Sequence, residues 1–380
     1  MKTVRKIADV ADLKGKYVIV RAALNVPMAN GEVANQFRII RALPTIEHLV
    51  KAGARVVLMG HIGREPHETL EPVYQILKEH FTITWSPELT GPGVMEKRNA
   101  LQDGEVLMLE NVRQHPGETE NDAALAAEWA SLGELYVADA FADAHRAHSS
   151  VVGIPAHLPS YAGVNFSLEY EELRRSMNPT APSLFILGGA KFETKTPLVE
   201  KFLGTYDHIF IGGALAHDFF VARGLSVGKS LVSEIDLSSF SFVNDPRILL
   251  PIDVVVAKDT VVRTTTPDDV REDEVIVDAG PETIAMLSLY TRGAQSILWN
   301  GPLGNYEHGH EAGTVALARL IADSPAYTVV GGGDTVASIE ALGLSGNFGF
   351  MSTAGGAMLE FLEHGTIVGV DALLDAPKGE

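Results

Sequence analysis

The chain has 380 residues, with 30 Lys and Arg against 49 Asp and Glu, a formal net charge of −19. A surplus of that size favours solubility and opposes general binding to nucleic acid or to an anionic membrane. There is no cysteine, which excludes disulfides, thiol catalysis and cysteine-ligated zinc.

The opening residues hold no apolar signal region, and no apolar run reaches membrane-spanning length, so a cytoplasmic protein is expected. An acidic chain that handles anions must gather its positive charge locally. In the first half, short apolar runs predict strands at 17–20, 56–59, 106–109 and 135–138, and amphipathic stretches predict helices at 39–52 and 122–131. The first strand runs into Arg21 and Asn25, and Arg38 opens the helix after the Asn30-Gly31 turn. The second delivers Gly60, His61, Ile62, Gly63 and Arg64, and the third Glu110, Asn111 and Arg113. The fourth delivers the run from Asp139 to His148, with Asp143, His145 and Arg146 inside it. Ligands of open parallel sheets bind outside the carboxyl ends of the strands. Four strand ends that each carry an arginine therefore predict a polyanion site, because the guanidinium fork matches carboxylate and phosphate. A single histidine such as His148 is more often a packing or capping residue.

A charged helix is predicted at 168–177, stopping before Asn178-Pro179. Beyond it, strands are predicted at 184–187, 209–211, 254–257, 275–277, 297–299 and 327–330, with helices at 214–222 and 312–322. Strands alternating with helices predict parallel sheets, and about ten strands are too many for one compact sheet. Two α/β domains joined by the 168–177 helix follow. Glycine turns come after several of these strands: Gly188-Gly189-Ala190-Lys191, Gly212-Gly213, Asn300-Gly301-Pro302 and Gly331-Gly332-Gly333-Asp334-Thr335. The last reads as strand, turn and helix start, a geometry that presents unpaired N–H groups to phosphate. A carboxylate at Asp334 repels phosphate unless a cation bridges them, which points to a Mg²⁺-nucleotide. The alternative is a left-handed turn followed by a capping Asp. Lys191 and Lys195 share one face if their segment is helical. The run Gly224–Ser230 imitates a P-loop, but the glycine that motif needs is Arg223 here and no strand leads into it.

Along nearly its whole length the chain resembles phosphoglycerate kinases. The matching stretches occur in the family's order: Arg21 with Leu24-Asn25-Val26-Pro27, Phe37-Arg38, His61–Arg64, Leu109–Arg113, Asp139-Ala140-Phe141 and Ala144–Ser150. They continue through Gly188–Lys191, Val227–Leu231, Trp299–Gly304 with Glu307, Gly331–Thr335 and Ser352–Ala357. The resemblance implies two Rossmann-like domains and a hinge. Residues 1–165 would bind phosphoglycerate, with 366–380 packing back on them; 166–178 would link the domains and 179–365 would bind nucleotide. It implies reversible phosphoryl transfer between 1,3-bisphosphoglycerate and MgADP by a monomer. Ala23, Leu24, Asn25, Arg38, His61, Ile62, Gly63, Arg64, Arg113 and Arg146 would meet the phosphoglycerate. Gly189, Lys195, Gly213, Asn300, Pro302, Glu307, Gly332, Gly333, Asp334 and Thr335 would meet ADP or ATP, with Glu307 on the ribose and Asp334 on Mg²⁺. Arg38, Lys191, Gly355 and Gly356 would steady the transferring group. The chain departs from the family pattern at Ala23, where an acid is usual, at Thr194, at Glu65, and at Ala354, where a glycine is usual. Ala23 and Ala354 motivate a second reading, a non-catalytic binding relative.

Overall fold

A computed structural model describes residues 3–190, 195–235, 237 and 240–378. The chain divides into two compact units, Met1–Glu171 with His364–Glu380, and Glu172–Glu363. Both are α/β, each built on a parallel sheet.

The first unit carries β1 (Tyr17–Ala22), β2 (Arg55–Met59), β3 (Ile83–Ser86), β4 (Val106–Leu109), β5 (Leu135–Asp139) and β6 (Ser160–Ala162). They lie in the order β3-β4-β2-β1-β5-β6, every neighbouring pair parallel. Helices cover both faces of such a sheet, so its central strands read as continuous apolar runs. Val18, Ile19 and Val20 of β1 and Val56, Val57 and Leu58 of β2 are all fully buried. The chain builds outward from β1 on one side and then crosses to β5 on the other. The carboxyl ends of β1 and β5 therefore flank the switch point, where open sheets bind ligands. Beyond β1 a two-residue turn, Asn30 at φ 54° and Gly31 at φ 81°, joins a short hairpin. The helix Phe37–Lys51 follows.

The second unit adds β7 (Ser183–Leu187), β8 (His208–Ile211), β9 (Ile248–Leu249), β10 (Val254–Lys258), β11 (Val261–Thr265), β12 (Val275–Ala279), β13 (Ser296–Asn300), β14 (Tyr327–Gly331) and β15 (Phe350–Met351). Six of these form the second parallel sheet, in the order β9-β8-β7-β13-β14-β15. Here the switch point lies between β7 and β13. The segments 254–257 and 275–277, expected as parallel strands, belong instead to a separate antiparallel sheet with β10 at its centre. The reason is local. Lys258 pairs with Val261 across a two-residue turn, with Asp259 at φ 51°. A connection that short joins only antiparallel strands.

The charged helix runs over Val164–Ser176, starting earlier than its charge pattern indicates. Its first N–H groups are satisfied by Thr45 Oγ1, which accepts from Val164 N at 2.8 Å, and by Asp139 Oδ1, which accepts from Phe166 N at 3.0 Å. The division between the two units falls inside this helix. The C-terminal helix Val368–Asp375 is part of the first unit. Its Gly369 N donates to Ala144 O at 2.7 Å, and Arg5 donates to Pro377 O at 2.8 Å.

Candidate active site

In the first unit the predicted residues gather at the carboxyl ends of β1, β2, β4 and β5. Asn25 Oδ1 accepts from Gly63 N at 2.9 Å, and Asn25 O accepts from Arg38 at 2.5 Å, which ties the β1 end to the β2 loop and the following helix. Asn111 clamps that loop from β4: its amide donates to Ile62 O at 2.9 Å and to Glu68 O at 2.8 Å. Arg113 donates to Gly63 O. Arg64 is exposed, and Arg38, Arg113 and Arg146 are half-buried, so four guanidinium groups reach the surface of one unit. Burial, with Arg146 nearby, pushes the Arg113 proton affinity below its ordinary value.

Arg21 does not join them. It is 2 % exposed, and its guanidinium donates to Ser150 Oγ at 2.9 Å, to Ala22 O at 2.7 Å and to His61 Nδ1 at 3.0 Å. The expectation that all four strand-end arginines face a ligand is corrected here: Arg21 forms the floor. A partly apolar strand leaves its side chains inside the sheet, and the last residues of β1 are still buried. His61 is fully buried as well. Burial lowers its proton affinity, and Arg21 and Arg113 add to that against Asp143, so the ring is neutral at pH 7. Arginine only donates, so Nδ1 accepts and the ring hydrogen lies on Nε2, a buried atom without a hydrogen-bond partner. Ala23, Leu24 and Ile62 are buried.

Two carboxylates that the sequence does not single out as site members lie under this cluster. Glu118 is fully buried and accepts from Ser150 N at 2.8 Å and Ser150 Oγ at 2.6 Å. Asp143 lies 3.3 Å from both Arg21 and His61. Glu118 sits between predicted elements and gives no sequence signal. His148 lies 3.7 Å from Glu118, and burial together with Arg113 and Arg146 lowers its pKa to about 4.

In the second unit the glycine turns after β7 and β13 are bonded to each other: Gly188 N donates to Asn300 O at 2.8 Å and Gly189 N to Pro302 O at 2.9 Å. Lys195 is buried, its ammonium donating to Gly188 O at 2.5 Å. Lys191 and Thr194 lie outside the described residues. Beside these turns opens a cavity of about 300 Å³. Gly189, Gly213, Pro302, Glu307 and Asp334 line it together with an apolar wall that includes Phe220, Leu231 and Val277. Leu231 falls in a stretch that the family resemblance singles out, but Phe220 and Val277 are not legible as site residues, because they come from separate segments that look like ordinary core. Asn300 is buried, with its amide against the Met358 sulfur at 3.7 Å.

Gly332 precedes the helix Gly333–Ala341 with φ 102°, a conformation that favours glycine. Gly333 and Asp334 are exposed, and Asp334 has no side-chain partner among the described residues. Thr335 is buried, its hydroxyl without a hydrogen-bond partner. No three potential ligands cluster among the described residues, so a metal here would take one carboxylate and complete its shell with phosphate and water. Gly355 is half-buried and Gly356 starts the helix Gly356–His364. Ala354, at the usual glycine position, is buried without a positive φ, so alanine is unstrained there. The P-loop imitation is structural: Gly228 pairs with Val275 beside the antiparallel sheet, and Lys229 N donates to Glu274 O at 2.7 Å.

A sequence model described as phosphoglycerate kinase matches residues 7–365. The chain is 43 % identical to a phosphoglycerate kinase of Thermus thermophilus, over 95 % of this chain and 98 % of that protein. It is 40 % identical to the Maricaulis maris protein of the same name, over 100 % and 99 %. The phosphoglycerate kinase structure from Coxiella burnetii superposes with a TM-score of 0.84 at 36 % identity, covering 98 % of this chain and 99 % of that one. The one from Pyrococcus horikoshii gives 0.85 at 30 %, covering 97 % and 98 %. With matches of this identity and extent, the chain belongs to the phosphoglycerate kinase family and is a glycolytic kinase of that type.

Proposed function

We propose that the two units divide one phosphoryl transfer, the first holding 3-phosphoglycerate or 1,3-bisphosphoglycerate and the second holding MgADP or MgATP. The observation that carries this is the contrast between the sites. One is a cluster of surface arginines at a switch point; the other is an apolar cavity beside glycine turns and a helix start. Asn25, Arg38, Arg64, Arg113 and Arg146 bind the phosphoglycerate anion, with the neutral His61 buried beneath them. The backbone of Ala23, Leu24, Ile62 and Gly63 lines it. Gly189, Gly213 and Pro302 shape the base end of the nucleotide cavity, Glu307 takes the ribose, and Asn300, Lys195 and Gly332 to Thr335 take the phosphates. Asp334 would hold Mg²⁺, which would supply charge neutralisation for the nucleotide phosphates.

The chemistry needs in-line placement and charge neutralisation, not a protein nucleophile. A β-phosphate oxygen of ADP attacks the acyl phosphorus, and the C1 carboxylate of 3-phosphoglycerate leaves with the bonding pair. Arg38, Lys191 and the amides of Gly355 and Gly356 stabilise the equatorial oxygens, where preorganised donors count most. Water would destroy the acyl phosphate, so both reactants must meet with solvent excluded. In this reading the enzyme is a cytoplasmic monomer acting on small molecules. The ordinary backbone at Ala354 removes one motive for a non-catalytic relative. The test is ATP formation from 1,3-bisphosphoglycerate and ADP. Arg38→Ala should lower turnover by about two orders of magnitude or more, and Asp334→Ala should impair use of Mg-nucleotide. A folded chain that binds ADP and forms no ATP would overturn the proposal.

A further inference from the structure

We infer that Asp143 is a positioning residue of the phosphoglycerate half-site, holding the Arg146 guanidinium in one working arrangement. This deepens the reading above and rests on it. Asp143 ends the turn Phe141–Asp143 that follows β5, and it is 5 % exposed. Its backbone is fixed on both sides: Asp143 N donates to Ala140 O at 3.0 Å, and Asp143 O accepts from Arg146 N at 3.0 Å. The next residue, Ala144, is held by Gly369 N of the C-terminal helix at 2.7 Å. One carboxylate oxygen lies 3.3 Å from Arg21 and 3.3 Å from His61 Nδ1, and the other lies 3.7 Å from Arg146.

These neighbours do not depend on Asp143 equally. Arg21 has Ser150 Oγ and Ala22 O as well, so it keeps its place without the carboxylate. Arg146 is half-exposed, and among the described residues Asp143 is its one side-chain partner. An unpaired arginine on a surface turn samples many rotamers, and a positioned fork is what binds an anion bidentately. The groups facing Asp143 are Arg21, His61, Arg113 and Arg146, with Glu118 behind Ser150. Burial opposes its charge, but the cations around it, Arg21 with Arg146 beyond, hold its carboxyl well below the ordinary range. Asp143 thus orients Arg146 while subtracting one positive charge from an anion site.

That double effect gives a signature that loss of structure alone would not. Asp143→Asn should lower kcat about tenfold to a hundredfold, because a misplaced binding group costs that much. The KM for 3-phosphoglycerate should hold or fall, because the site becomes more positive, and the KM for MgATP should not move. In an Arg146→Ala background the same substitution should cause little further loss in kcat, as expected for coupled residues. Wild-type kcat in Asp143→Asn, or losses that multiply in the double variant, would overturn the inference. If Asp143→Asn does not fold, Arg146→Lys decides the question. It keeps the charge and lies at the surface, and unchanged kcat there would show that the orientation of Arg146 is immaterial. The unmutated chain run in parallel separates the two readings. Its inactivity would overturn the functional proposal and this inference together, whereas an active parent with an unaffected Asp143→Asn overturns the inference alone.

Discussion

Single residues in the first unit show how position overrides type. Arg21 and Arg64 both follow apolar runs of sequence, yet one is buried inside β1 under the site and the other is exposed above it. Sequence gives no means of separating them, because the difference is whether the sheet has ended. Asp139 is a related case. It reads as a site residue at the β5 terminus, but it accepts from Phe166 N and so caps a helix. Its carboxyl is fully buried and one oxygen has no hydrogen-bond partner. Burial raises its pKa to about 7, against opposing bonds to Phe166 and Thr45. An unfolded chain would ionise it near about 4. Between those values the folded state holds the proton and the unfolded state does not, so stability falls as pH rises through the window. The melting temperature of the parent should therefore drop, relative to Asp139→Asn, between pH 5 and pH 8. Parallel melting curves for the two across that range would contradict the buried, proton-holding carboxyl.

At the scale of elements, the central strands are legible in the sequence because burial on both faces writes them as unbroken apolar runs. β3, β6, β9 and β15 are not. They are the outer or short strands of their sheets, with Ser and Thr in β3 and two residues each in β9 and β15. Their pairing is set by neighbours far away in the chain. β11 escapes notice because Val261, Val262 and Thr264 are exposed, giving no core signal. The glycine turns are legible as turns, but their mutual bonding is not. A Cβ on Gly188 would stand 2.2 Å from Pro302 O and 2.6 Å from Gly301 O, both backbone atoms that cannot turn aside. A Cβ on Gly333 would meet nothing within 4 Å. Gly188→Ala should thus force β7 and β13 apart at the switch point, costing about 1–3 kcal/mol as overpacking does. Adenine nucleotide binding should weaken with it. Gly333→Ala should leave the melting temperature nearly unchanged. Calorimetric unfolding with ADP titration of both variants checks this, and equal stability of the two would refute the bonded-turn arrangement.

For the whole molecule, a net charge of −19 must coexist with binding of small polyanions. In the proposed division of the reaction, the two units would meet that demand by different physics. The first places Arg38, Arg64, Arg113 and Arg146 at or near the surface, where attraction to an anion passes partly through solvent. Salt shortens the reach of such forces from about 10 Å at 0.1 M to about 3 Å at 1 M. The acidic remainder of the chain also repels the ligand at low salt, but its charges are dispersed while the arginines are collected at one switch point. The second unit offers an apolar cavity and a glycine cradle, with one lysine, Lys195, donating to Gly188 O beside it. Apolar contact is largely indifferent to moderate salt. Raising NaCl from about 0.05 to about 0.5 M should weaken 3-phosphoglycerate binding about tenfold or more, on screening alone. MgADP binding should weaken by only about threefold over the same range, since one carboxylate-held metal and burial of the base carry much of it. Titration calorimetry of each ligand separately reads both slopes. Equal slopes would mean that the nucleotide is held by charge as much as the phosphoglycerate is, and the division of labour between an arginine site and an apolar site would be wrong.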